Sequence, residues 1–307
     1  MNKLITHIII SIFGISIAVA QINSEEITIY NQQIELPGTL TYQQEKTPLI
    51  IWVHGSGNVD RNGNQEGTPV KANYIKQFRD AINKENIAFF SFDKRTANKN
   101  NKDFLNGTLI TDFALDINEI VHHFKKENRF SEIILAGHSQ GSLIAMLAIN
   151  DVDKYISIAG AGESVDKVII DQIGKNNPTL GEAAQEQFDS LRIHGKITAI
   201  NPFLISVFAK QNQAFLYSWM QINPTEEIKK IKVPVLILQG NKDLQVKMED
   251  ATNLLSASKN GELVSIGGMN HVLKNIEKEE DNMKSYFSDE YQISEKLIET
   301  VVQFVKK

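Results

Sequence analysis

The chain has 307 residues, 42% of them hydrophobic and 22% charged, with a formal net charge of -5 and no cysteine. This is ordinary globular composition with material for one large core, so a single domain is expected rather than a disordered or fibrous chain. The lack of a basic excess speaks against a nucleic-acid partner, and the lack of cysteine excludes a disulfide framework and a thiol-linked lipid anchor.

Residues 1–20 read as a signal peptide: Lys3 gives a small positive start, residues 4–19 are nearly all apolar, and Ala18-Val19-Ala20 is a small-residue cleavage site. Gln21 is then the expected mature N-terminus, and the protein is expected to be exported, periplasmic or secreted, without membrane contact after cleavage. An uncleaved anchor is the alternative, since the apolar stretch is almost long enough to span a bilayer. The small-residue site favours cleavage.

Residues 26–42 alternate apolar and polar side chains (Ile27, Ile29, Ile34, Leu36), with Pro37-Gly38 interrupting. That pattern predicts two antiparallel strands at a sheet edge. From Leu49 onward, short continuous apolar runs alternate with helical stretches, which signals strands buried on both faces of a parallel sheet. Strands are predicted at 49–53, 87–92, 133–136 and 155–159. Helices are predicted at 72–84, 110–126 and 142–149, the second with a stripe formed by Phe113, Leu115, Ile117, Ile120, Val121 and Phe124.

Between residues 160 and 230 the rhythm breaks into several helices, too long for a plain loop. A helical cap inserted at about 161–231 is expected. Strands at 233–238 and 263–266, a helix at 248–258 and a capped terminal helix at 294–305 complete the chain. The fold class is therefore α/β: a mostly parallel, doubly wound sheet with helices on both faces, occupying residues 21–307.

Gly137-His138-Ser139-Gln140-Gly141 matches G-x-S-x-G, with an apolar run directly before it and good helix formers directly after. A serine there sits on a tight strand-to-helix turn with its hydroxyl presented as a nucleophile. The competing reading is a glycine-rich turn carrying an inert serine. A serine nucleophile needs a base. Of the seven histidines, His7 falls in the signal, His122 and His123 on a helix, and His194 in the cap. His54 and His138 lie at strand ends, where local packing is the plainer role. His271 remains, just after the last predicted strand and at the carboxyl edge where α/β sheets gather their chemistry.

The base needs a carboxylate to hold its tautomer. Asp243, in Gly240-Asn241-Lys242-Asp243 after the strand at 233–238, is the candidate, with Glu163 and Asp93 as rivals. Two main-chain donors are expected at the developing oxyanion: the N–H of Gln140, after the nucleophile, and that of Ser56, in the loop after the first buried strand. Asp60-Arg61 and Asp93-Lys94-Arg95 lie near the same edge and read equally well as a brace for that loop or as solvated charges. The aromatic stretches at 202–208 and 215–220 read mainly as the inner faces of packed helices, and otherwise as the lining of an acyl pocket.

The runs at 54–63 (His-Gly-Ser-Gly-Asn-Val-Asp-Arg-Asn-Gly), 92–95 (Phe-Asp-Lys-Arg), 137–141, 240–243 and Asn270-His271 together resemble bacterial α/β-hydrolases of the serine aminopeptidase-like group. That resemblance implies the α/β-hydrolase fold and the order Ser139, Asp243, His271 as nucleophile, acid and base. One departure is visible: the Asp-Lys-Arg run continues as Thr96-Ala97-Asn98-Lys99 instead of a glycine-rich turn. Together with the residues, the resemblance points to carboxylesterase activity on a small-molecule ester through an acyl-enzyme, a route that requires no metal or organic cofactor. Peptide or amide cleavage is the alternative within catalysis, and a non-catalytic binding module the alternative outside it.

Overall fold

The computed structural model describes residues 21–307, so the predicted signal peptide lies outside the described residues. Eight strands form one sheet: β1 (Asn23–Asn31), β2 (Ile34–Tyr42), β3 (Leu49–Val53), β4 (Ala88–Phe92), β5 (Ile133–His138), β6 (Lys154–Ile158), β7 (Val235–Gly240) and β8 (Gly261–Ile266). Their spatial order is β1-β2-β4-β3-β5-β6-β7-β8. Strand β2 is antiparallel to β1 and β4, and every pair from β4 across to β8 is parallel. Pro37 and Gly38 do not interrupt β2 as the sequence suggested. Gly38 is needed within the strand because any side chain there would collide with the ring of Phe90.

Alternation along the buried strands divides the core into two layers. Leu49, Ile51 and Val53 of β3 face one hydrophobic cluster, while Ile50 and Trp52 face another. The first layer is covered by α2 (Ile110–Glu127), α3 (Gln140–Leu147) and α9 (Met248–Ala257), the second by α1 (Tyr74–Lys84) and α10 (Glu295–Val305). Trp52 is fully buried, with its ring centre 5.1 Å from that of Phe78 and 6.1 Å from that of Phe89. Burying a side chain of that size stabilises the fold by about 2 kcal/mol or more. Leu115 departs from the predicted stripe of α2: it is half exposed, because it lies on the far side of the helix from Phe113, Ile117 and Phe124.

Between β6 and β7 the chain forms α4 (Val165–Asn176), α5 (Pro178–His194), the short α6 (Ile205–Phe208), α7 (Gln213–Met220) and α8 (Pro224–Ile228). The first four of these share a third cluster around Phe188, Leu191, Phe208 and Leu216. The sheet fixes where a site can form. The chain runs outward from β3 to β4, then crosses back to β5, so the winding reverses between β3 and β5. A crevice opens at such a reversal, beyond the carboxyl ends of the strands. The loop after β3 and the turn after β5 both end there.

Candidate active site

Ser139 occupies the turn from β5 into α3 with φ 55° and ψ −121°, a backbone region that side-chain-bearing residues avoid. A serine at a helix start ordinarily caps it, yet the Ser139 hydroxyl makes no capping hydrogen bond. The turn leaves that oxygen free while holding its backbone through N–H donation to the Ile158 carbonyl at 2.9 Å. Both flanking glycines are obligatory by contact. A Cβ on Gly137 would stand 2.4 Å from the Gly141 carbonyl oxygen, and one on Gly141 would stand 2.1 Å from the Val53 oxygen. Gly141→Ala is therefore expected to destabilise the fold by about 3 kcal/mol, read as a lower urea midpoint. An unchanged midpoint would mean that α3 can lift from β3 without penalty.

The candidate acid and base follow the last two strands of the sheet. Asp243 lies after β7 and His271 after β8, and the two loops are pressed together at Gly240, where any Cβ would meet the Met269 oxygen at 2.1 Å. His271 Nδ1 donates to Asp243 Oδ2 at 2.8 Å. The other carboxylate oxygen accepts the backbone N–H groups of Gln245 at 2.7 Å and Val246 at 3.0 Å. Burial by itself would raise the Asp243 carboxyl. The facing His271 ring and these donors outweigh burial and hold it below the ordinary carboxylate range. Glu163, the rival acid, is half exposed and paired with Lys167 at 3.6 Å.

His271 is brought to the elbow by His138, the residue before Ser139. His138 Nε2 donates to the His271 carbonyl at 2.8 Å, and the two ring centres are 4.9 Å apart. No hydrogen bond joins the Ser139 hydroxyl to His271 in this arrangement. His138 and His54 serve as neutral spacers: burial pushes both rings down to about 3, with His271 beside the first and Lys94 beside the second adding to the effect. His54 donates through Nε2 to the Phe92 carbonyl, which ties the end of β3 to the end of β4. His122 and His123 lie on α2 and His194 at the end of α5, outside the site.

The loop after β3 closes on the elbow, since a Cβ on Gly55 would lie 3.3 Å from Cβ of Ser139. Ser56, Ser139 and Gln140 together line one end of a cavity of about 730 Å³. Phe113 of α2, Val165 and Ile169 of α4, and Phe215 and Trp219 of α7 are among the apolar side chains in its wall. The aromatic stretch at 215–220 thus contributes Phe215 and Trp219 to the cavity as well as to the core. Phe203, from the stretch at 202–208, faces solvent.

The charged runs near the rim brace the loop. The guanidinium of Arg61 forms a two-pronged pair with Asp93, at 3.1 and 2.9 Å, and also contacts Glu26 of β1. Arg95 makes a second two-pronged pair, both contacts 2.7 Å, with the buried Asp116 of α2. Sequence reasoning missed Gln239, whose buried side chain donates to Asp243 Oδ2 at 3.1 Å and to the Val246 carbonyl at 3.0 Å, steadying the loop that carries Asp243. Its one signal was a polar residue ending an otherwise apolar strand. Asn270, buried next to His271, similarly pins its own loop by donating to Ser285 Oγ at 2.7 Å.

A sequence model of the BD-FAE family matches residues 38–258. The chain belongs to the BD-FAE family. The matched BD-FAE span contains the loop after β3, the elbow and Asp243, and ends before His271. Esterase EstD of Thermotoga maritima is 24% identical over 249 residues, 78% of this chain. The chain spans 58% of the length of that curated relative.

Three solved structures share the fold of this BD-FAE member. Est1E from Butyrivibrio proteoclasticus matches with a TM-score of 0.57 at 20% identity, over 92% of this chain and 96% of its own. The Pyrococcus furiosus esterase Pf2001 matches with 0.59 at 17%, over 92% and 91%. A bromoperoxidase from Bacillus anthracis matches with 0.55 at 14%, over 92% and all of its own chain. At such identities the likeness establishes the α/β-hydrolase fold, and one fold hosts several chemistries. Reaction class has to be argued from the site.

Proposed function

We propose that this chain is a serine hydrolase cleaving carboxylic esters through an acyl-enzyme, with Ser139 as nucleophile, His271 as base and Asp243 as the orienting acid. The observation that carries it is the 2.8 Å bond from His271 Nδ1 to Asp243, made by a ring standing against an elbow whose serine caps nothing. That bond leaves Nε2 as the proton acceptor. The Ser139 hydroxyl has to come within hydrogen-bond reach of Nε2, a contact that in many hydrolases tightens only when substrate binds.

As Ser139 Oγ bonds to the ester carbonyl carbon, its proton passes to His271 Nε2. The carbonyl electron pair moves to oxygen, facing the N–H groups of Ser56 and Gln140. The imidazolium then protonates the departing alcohol, and a water deprotonated by the same ring releases the acid. The cavity, with Phe113, Phe215 and Trp219 in its wall, supports an ester with a bulky or aromatic part. Est1E has been solved with ferulic acid bound, which makes aromatic acyl groups natural members of a test series. The motif likeness to the serine aminopeptidase-like group belongs to the same proposal, on the esterase side of that group.

Purified protein is expected to hydrolyse chromogenic esters, in a series from acetyl to aromatic acyl groups, faster than aminopeptidase amides. A fluorophosphonate is expected to label the peptide that carries Ser139. Folded protein that takes up no label and cleaves no ester overturns the reading; faster turnover of amides overturns the ester assignment alone.

A further inference from the structure

Lys94 follows β4 in the rim loop, is only 4% exposed, and lines the same end of the cavity as Ser56, Ser139 and Gln140. Its ammonium donates to the Gly55 carbonyl at 2.8 Å and to Gln140 Oε1 at 2.8 Å, and stands 4.8 Å from the centre of the Phe113 ring. Among the described residues no carboxylate pairs with it; Asp116, the acid on the facing helix, is taken by Arg95. A buried lysine that serves two neutral acceptors instead of an ion pair needs a reason.

The reason lies in the peptide unit it holds. The Gly55 carbonyl and the Ser56 N–H belong to one planar trans amide, so they point in opposite directions. Fixing the carbonyl toward Lys94 fixes the N–H on the other side. Residue 55 is a glycine, so no Cβ restricts ψ on that side of the amide, and the lysine bridge supplies an orientation that side-chain sterics there do not. The second bond reaches the side chain of the residue that supplies the other N–H.

We propose that Lys94 is a positioning residue of the oxyanion hole: it bridges the Gly55 carbonyl to the Gln140 side chain and thereby aims the Ser56 and Gln140 N–H groups at one point. The inference rests on the esterase reading above. Its backbone is itself tied down, with its N–H on the Val59 carbonyl at 3.2 Å and its carbonyl accepting from Ala97 at 2.7 Å. Burial pushes the ammonium down to about 7, with Asp116 pulling the other way. The bridge survives loss of that proton, because a neutral amine keeps two N–H donors.

The test uses Lys94→Met, Gln140→Met and the double variant in the full chain. Each is assayed with one chromogenic ester and with a trifluoromethyl ketone, which forms a tetrahedral oxyanion adduct on the serine. Lys94→Met is expected to lower kcat about 10- to 100-fold with KM within about twofold. Affinity for the ketone should fall by the same factor as kcat, and the double variant should lose no more than Lys94→Met alone. A merely structural lysine would not give that parallel. A kcat within twofold of wild type, a loss confined to KM, or losses that multiply in the double variant overturn the proposal. If Lys94→Met does not fold, Gln140→Met decides, and an unchanged kcat there overturns it. A wild-type chain that cleaves no ester defeats the esterase reading instead.

Discussion

Removing the hydroxyl of Ser139 is expected to cut ester hydrolysis by about 10⁴- to 10⁶-fold, while thermal stability stays within about 0.5 kcal/mol of wild type. The two halves of this expectation have separate causes. Without Oγ no atom can bond to the carbonyl carbon, so the acyl-enzyme route closes, and only the donors and the cavity remain to assist water. Stability is spared because the hydroxyl does not cap α3, and alanine tolerates φ 55° no worse than serine. Steady-state kinetics of Ser139→Ala with the best ester of the series, beside a thermal melt, checks both. A rate within tenfold of wild type would remove Ser139 from the mechanism.

Asp243→Asn is expected to lower kcat by about 10³- to 10⁴-fold, through the tautomer of its partner. Oδ1 of Asp243 accepts two backbone N–H groups, so the side-chain oxygen of an asparagine must stay there. Its NH₂ is then forced toward His271 Nδ1 and the Gln239 amide, both of which donate to Asp243 in the native chain. The histidine responds by carrying its proton on Nε2, the atom that must receive one. The variant is expected to retain its ester KM, because the cavity wall is untouched. A kcat lowered by less than tenfold would argue that another carboxylate holds the ring.

Much of this arrangement was legible before any coordinates. Residues 49–53 and 133–136 read as buried strands because a strand covered on both faces has no reason to alternate, and both lie at the centre of the sheet. Ser139, Asp243 and His271 were legible as candidates because each follows a strand directly, so topology alone sends them to one edge. Leu115 was misread because periodicity tolerates one apolar residue on the wrong side of a helix, where an exposed leucine is unremarked. The parts played by Lys94 and Gln239 were out of reach for a different reason. Each depends on acceptors far away in sequence or on backbone atoms, and such atoms leave no mark on residue identity.

Every group assigned to bond making comes from a turn at the tip of a sheet strand, and a Cβ added to Gly137, Gly141 or Gly240 would stand 2.1 to 2.4 Å from a backbone oxygen, which leaves those turns almost no room to change. Part of the cavity wall belongs to α4 and α7, which share a third cluster with α5 and α6. On the proposed function, substitutions along residues 165–220 would alter the shape of the cavity while leaving the three strand-end turns as they are.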